Sequence, residues 1–269
     1  MAGFEDIQFP REDQDESFEQ RRSHAWSKIK WSVPETVKRG RFLDIGCGIG
    51  NGVVAALQHG FQTAIGIDRD LAEFPWVDVG GFDRRCENLG IDPARAILIG
   101  ADLFKTSFPD RSFDCVFMLD SIEHVPDPSA FIAEAARYVA PGGVLLIDTC
   151  PLYYSALGAH LWGYLDPNVY PWAHLRSDFA ELTQRAEIDE WTSIRVEELN
   201  RVTHDEIRRG VVASGLDIQF EHRSAPTPET SALLEQHRSN LDWSKIPDEG
   251  LLFEDWILIV GQRPLSDAS

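Results

Sequence analysis

Acidic residues at the ends of apolar runs, and a loop with glycine at every second position, carry the chemistry of this chain. Phe42-Leu43-Asp44-Ile45 runs into Gly46-Cys47-Gly48-Ile49-Gly50-Asn51-Gly52. Glycines there remove the Cβ atoms that would hold a ligand away, and a helix starting beyond them presents backbone N–H groups. Asp68 closes the run Ala64-Ile65-Gly66-Ile67, 22 residues beyond Gly46. A carboxylate at that place can accept both hydroxyls of a ribose. In Gly100-Ala101-Asp102-Leu103 an acid stands beside an apolar residue, which suits an adenine amino group and ring face. Phe113-Asp114-Cys115-Val116-Phe117-Met118-Leu119 leads to Asp120-Ser121-Ile122-Glu123-His124-Val125, with Pro141-Gly142-Gly143 further on. A Gly-x-Gly-x-Gly run alone also fits dinucleotide enzymes and plain turns. The series as a whole has the spacing of an adenosine site.

A second group could move protons: His124, His160 and His174, with Asp120 and Tyr154 behind them. His124 falls at a strand end, where it either takes a proton or hydrogen-bonds its own loop. His160 and His174 lie in a segment rich in rings, and each is either a base or a residue packed between aromatics. Their spacing of 14 residues, with Asp166 between, permits a metal site. Two histidines on one inserted segment are thin support for that, and no metal is expected.

The elements that must position these residues follow from hydrophobic pattern. Apolar runs at Phe42–Ile45, Thr63–Ile67, Ala96–Ile99, Phe113–Leu119 and Val144–Ile147 alternate with helical stretches at Gly52–Gln58, Phe82–Leu89 and Pro128–Val139. Strands apolar along their whole length predict an α/β fold: a doubly wound parallel sheet covered on both faces, with ligands at the strand ends. The segment 1–22 reads as a polar arm, followed by a short helix over Ser23–Val37 and a ligand-binding core over 23–150. Residues 151–202 hold four of the five tyrosines, and prolines at 151, 167 and 171 interrupt long elements. This segment is expected to form a substrate cap after strand five. The α/β rhythm resumes over 203–262 with a helix at Thr203–Ser214, a strand at Leu216–His222, a polar excursion at Ser224–Gly250 and a last strand at Leu251–Gly261. Residues 263–269 form a tail.

In this order the motifs resemble those of the class I S-adenosylmethionine-dependent methyltransferases, continuously from Phe42 to Thr149. Leu43–Gly50 resembles their strand-one motif; Phe113–Val125 and Pro141–Gly143 resemble their strand-four and "PGG" features. The resemblance implies a Rossmann-like sheet of seven strands, the last antiparallel and inserted beside strand five. It also implies S-adenosyl-L-methionine as cofactor, with S-adenosyl-L-homocysteine as product. Asp44, Gly46, Cys47, Gly48 and Gly50 would lie near the methionine moiety, and Asp68 with Arg69 at the ribose. Asp102 and Leu103 would meet adenine, and Asp120 and Ser121 would floor the sulfonium. Phe74–Gly81 departs from the family pattern, because it interrupts the helix that usually follows strand two. Pro151–Ser155, His160-Leu161 and Pro171–Leu175 resemble, more loosely, bacterial methyltransferases acting on glycans and secondary metabolites. That tilts the expected acceptor toward a small hydroxylated molecule and O-methylation.

Composition narrows the partners. Acidic residues outnumber basic ones 44 to 25, a net charge of −19, which disfavours a nucleic-acid acceptor. An Asn/Asp-Pro-Pro-aromatic motif, expected of a base N-methyltransferase, is absent after strand four, where Asp120-Ser121-Ile122-Glu123 stands. No apolar run approaches the roughly 18 to 20 residues that span a bilayer. Four scattered cysteines read as reduced thiols of a cytoplasmic protein. A homodimer is compatible with the sequence. Methylation of basic peptides, N- or C-methylation of small molecules, binding of the nucleoside without transfer, and a dehydrogenase remain as alternatives. Intact titratable residues in the cap favour an enzyme over a scaffold, and Asp102-Leu103 favours the methyl donor over a dinucleotide.

Overall fold

The computed structural model describes residues 14–71, 79–161 and 163–265. Five parallel strands form its centre: β1 (Arg41–Ile45), β2 (Thr63–Asp68), β3 (Ala96–Gly100), β4 (Phe113–Leu119) and β5 (Val139–Thr149). β6 (Asp217–Arg223) and β7 (Ile257–Gln262) complete a sheet of order β3-β2-β1-β4-β5-β7-β6, in which β7 runs antiparallel between β5 and β6. This is the Rossmann-like topology expected from the motifs. Strand order reverses between β1 and β4, so the crevice at their carboxyl ends is where a doubly wound sheet binds ligands.

Alternation along each strand feeds two cores. Phe42, Cys115, Phe117, Val144, Leu146, Leu258 and Val260 face one layer, and Leu43, Val116, Met118, Leu145, Ile147 and Ile259 face the other. The first layer is closed by α1 (Gln14–Ser32), α2 (Asn51–Gln58) and α3 (Val79–Asn88); the second by α4 (Pro128–Arg137) and α7 (His204–Ala213). Two acids occupy first-layer positions within this pattern, Asp44 on β1 and Asp148 on β5, exposed by only 3% and 1%. Asp127 caps α4, whose first residue is Pro128, and Thr203 with Glu206 forms a capping box on α7.

Four local readings are revised. α1 begins at Gln14 rather than Ser23, because Phe18, Ala25 and Ile29 make an apolar stripe that packs on α2. Residues 1–13 and 72–78, which include most of the interrupting Phe74–Gly81 segment, lie outside the described residues, as does Trp162. Pro141-Gly142-Gly143 lies inside β5 rather than before it. A Cβ on Gly143 would come within 2.8 Å of the Asp114 carbonyl and 2.9 Å of the Ala140 carbonyl, so this irregular start of the strand requires glycine. Finally, Ser224–Gly250 is no mere excursion: α8 (Pro228–His237) and three short 3₁₀ turns occupy it, and β7 starts only at Ile257.

That last segment is half of the cap. Tyr154, Trp172 and Leu175 from the insert pack with Leu234, Leu241, Ile246 and Leu252 from the second segment. Hydrogen bonds to backbone carbonyls sew the halves together: Asp242 N–H donates to the Leu175 carbonyl at 2.9 Å, and Lys245 Nζ to the Arg176 carbonyl at 2.8 Å. The insert also carries α5 (Phe179–Arg185) and α6 (Glu190–Glu198), beside a smaller core of Ala159, Leu161, Tyr170 and Ala173.

Candidate active site

The glycine loop is held against β2 and β4. Gly46 and Cys47 N–H donate to the Ile67 carbonyl at 2.8 and 3.2 Å, which hooks the loop over the end of β2. Gly46, at φ +77°, has no room for a side chain, since a Cβ would lie 2.5 Å from that of Ser121. Ser121 Oγ in turn donates to the Ile45 carbonyl at 3.2 Å, locking the ends of β1 and β4 together. Gly52 opens α2 directly on the Asp44 carboxylate, where any Cβ would collide with Asp44 Oδ2. Burial, followed by the charge of Asp68, pushes the Asp44 carboxyl up to about 8. Cys47 is buried, and its side chain lies against Gly66, where an added Cβ would come within 2.7 Å of the thiol.

Asp68 is fixed by two backbone donors. Gly48 N–H reaches one carboxylate oxygen and Asp70 N–H the other, both at 2.9 Å. Each oxygen keeps acceptor capacity for a ligand hydroxyl. Arg69 points sideways, to Asp70 and to Glu198 of α6. Asp102 caps the turn Leu103–Lys105 by accepting the Phe104 N–H at 2.9 Å, with Leu103 buried beneath it.

Asp120, at the end of β4, adopts φ +47°, a left-handed conformation uncommon outside glycine. Its backbone N–H bonds the Asp148 carbonyl, and its Oδ1 accepts the Cys150 N–H at 3.0 Å. Asp120 and Cys150 are exposed at this edge of the sheet. Crowding by neighbouring groups, followed by the charge of Asp148, shifts the Asp120 carboxyl upward. Beneath it Glu123, 1% exposed, accepts the Thr149 hydroxyl at 2.7 Å and is also shifted upward, by burial first and by Asp120 second. Lys28 of α1 reaches Asp148 at 2.9 Å across the same edge, and the Trp256 indole N–H adds a bond to that oxygen at 3.2 Å. Glu123, Lys28 and Asp148 were not among the residues singled out from sequence. Only Glu123 had a signal there, its place beside His124.

The histidines divide. His124 and His160 meet edge to face with ring centroids 5.3 Å apart, where the end of β4 touches the cap. His160 Nε2 bonds the Pro151 carbonyl at 3.0 Å. Burial lowers His124 to about 3 and His160 to about 4, so both are neutral at pH 7. His174 sits inside the cap, 5% exposed, with Nε2 on the Tyr153 carbonyl and its ring against Tyr153. Tyr154 is 7% exposed in the same core. His160 and His174 therefore do not converge on one point, and among the described residues no group of three or more His, Cys, Asp or Glu side chains could hold a metal ion.

The residues fit a nucleoside donor with a methionine tail. Gly48, at φ +51°, would place a Cβ in open space, so the loop presents bare backbone to the crevice. Asp44, Asp68 and Asp102 stand along successive strand ends as acceptors. Sheet order, glycine loop and acids together define the class I S-adenosylmethionine-dependent methyltransferase fold. The family described as "Methyltransferase domain" matches residues 18–191, more than half of the chain, and the chain belongs to it. The 27-O-demethylrifamycin SV methyltransferase of Amycolatopsis mediterranei is 33% identical over 120 residues, 44% of this chain and 41% of that protein. The ubiquinone biosynthesis O-methyltransferase of Methylococcus capsulatus is 31% identical over 157 residues, 55% of this chain and 59% of that one. The aligned part of the chain spans between 35% and 59% of the length of these first curated relatives. In fold, the chain is similar to phosphoethanolamine N-methyltransferase 2 of Haemonchus contortus bound to S-adenosyl-L-methionine, with TM-score 0.55 and 20% identity over 90% of this chain and 52% of that one. Among the described residues no helix is long and apolar enough to cross a membrane.

Proposed function

We propose that the chain methylates a hydroxyl of a small acceptor, with S-adenosylmethionine as donor and Asp120 as the proton acceptor. The donor supplies an electrophilic methyl group on a sulfonium. Asp44, the glycine loop, Asp68, Asp102 and Leu103 bind and orient it, and the cap closes the acceptor side. Holding two reactants in line supplies several kcal/mol of such a barrier, so most of the protein's work is positioning.

The observation that carries this reading is Asp120 itself. It stands exposed just past the end of β4, at the sheet edge that also carries the glycine loop, and its carboxylate is anchored through one oxygen by the Cys150 N–H. A carboxyl shifted upward is a stronger base than an ordinary carboxylate and is better matched to removing a hydroxyl proton at pH 7. His124 and His160 are less suited: protonating a ring shifted to about 4 costs on the order of 4 kcal/mol at pH 7. His174 and Tyr154 pack the cap in this reading. The relatives named for O-methylation of small molecules support the hydroxyl acceptor, and the net charge of −19 speaks against a nucleic acid.

One observation favours a second reading. Asp120 presents an exposed carboxylate at this edge, which when ionised would also attract a cationic amine. Incubation with methyl-labelled S-adenosylmethionine and matched panels of phenols, sugars and amines separates the two. Label in hydroxyl compounds is the expected outcome; label confined to amines would replace O-methylation by N-methylation.

A further inference from the structure

The cap is tied to the donor side of the core by a closed ring of charges. Arg69 Nε and Nη2 bond Asp70 at 2.7 and 2.9 Å, and Arg195 Nη2 bonds the same carboxylate at 2.7 Å. Glu198 closes the ring, reached by Arg69 Nη2 at 2.7 Å and Arg195 Nη1 at 3.2 Å. Arg69 and Asp70 follow β2; Arg195 and Glu198 lie one turn apart on α6. No side chain described on α6 is fully buried, and Ile194 is 45% exposed, so this ring is a principal tie between the helix and the core. Just beyond α6, Asn200 Nδ2 bonds the Ile122 and Val125 carbonyls at 2.7 and 2.8 Å. The helix is thus anchored at the ends of β2 and β4, the two strands that flank β1 and its glycine loop.

Asp70 does two things at once. Its side chain holds Arg195 of the cap, and its backbone N–H holds one oxygen of Asp68. We infer that Arg195 is a positioning residue of the donor site: through Asp70 it fixes the carboxylate of Asp68 and couples closure of α6 to donor binding. The inference rests on the donor reading given above. Arg195 and Asp70 are 22% and 13% exposed, enough shielding for the pair to matter and enough access for salt to weaken it.

Calorimetric titration of the full chain with S-adenosylhomocysteine tests this without any acceptor. Arg195→Met and Asp70→Asn should each weaken binding by roughly three- to tenfold, and the double variant should be no weaker than either single one. Ile194→Ala, on the open side of the same helix, should bind as the parent does. In the unaltered chain, raising salt from 50 to 500 mM should weaken binding, and that dependence should be smaller in Arg195→Met. Unchanged affinity in both single variants, or multiplying losses in the double, would overturn the coupling. Equal loss in Ile194→Ala would assign the effect to helix integrity and overturn it as well. If the folded parent chain bound no S-adenosylhomocysteine, the donor reading itself would fail, and this inference with it.

Discussion

The donor edge and the cap are built on opposite plans. At the donor edge the contacts are largely backbone: glycines bring the loop close, the Ile67 carbonyl of β2 hooks it down, and Asp68 is held by two amides. The cap is built from side chains, with rings and leucines drawn from two segments about 60 residues apart in sequence. Backbone geometry gives one answer for one ligand, whereas a side-chain core can be repacked to fit another acceptor. The two plans meet at Asp120, His124 and His160, and again at the ring of Arg69, Asp70, Arg195 and Glu198.

Substitutions can break this contrast. Lys28→Met leaves Asp148 buried without its cation, and should cost about 3–5 kcal/mol of global stability in urea unfolding. Replacing Asp148 by Asn in the same chain should recover much of that. Trp172→Ala, in the cap, also empties a large buried site worth about 3–5 kcal/mol. Here the loss should appear as early hydrogen exchange over 151–175 and 228–253, while S-adenosylhomocysteine still binds. Loss of donor binding would show that core and cap are one cooperative unit.

A smaller effect concerns pH. Asp44 and Glu123, both buried, hold protons in the folded chain that they would release when unfolded, so stability without ligand falls as pH rises toward 8. The buried histidines act in the opposite sense, but only below their unfolded value near 6.5. Between pH 6.5 and 8 the acids therefore decide the slope, at most about 1.4 kcal/mol per pH unit for each group. Asp44→Asn should flatten it in urea titrations at pH 6.5, 7.2 and 8. A parent chain equally stable at all three would contradict the upward shifts.

The core was legible because a buried parallel strand has little choice of residue: Phe113–Leu119 and the glycine loop announce themselves in a few consecutive positions. Thr203–Ser214 and Leu216–His222 were legible for similarly local reasons, a helical segment stopped by Gly215 and an apolar strand after it. The cap's second half was not. Leu241 and Ile246 stand singly among polar residues, Leu234 and Leu252 lie in short apolar runs, and only the fold brings the four to Trp172. Lys28 and Asp148 were hidden differently, since a helix residue and a strand residue 120 positions apart carry no common pattern. The histidine spacing permitted a shared site without favouring it; in the fold His160 meets His124 and His174 packs against Tyr153 in the cap.

Asp120→Asn is the most direct test of the account. Asparagine tolerates the left-handed backbone at this position and keeps an oxygen for the Cys150 N–H, so the site's shape is preserved while its base is removed. With donor affinity measured by S-adenosylhomocysteine titration and transfer measured on a hydroxyl acceptor, affinity should stay within about twofold and kcat should fall by about 10²–10⁴. Transfer at the parent rate, or loss of donor binding in step with activity, would contradict the assignment of Asp120 as proton acceptor.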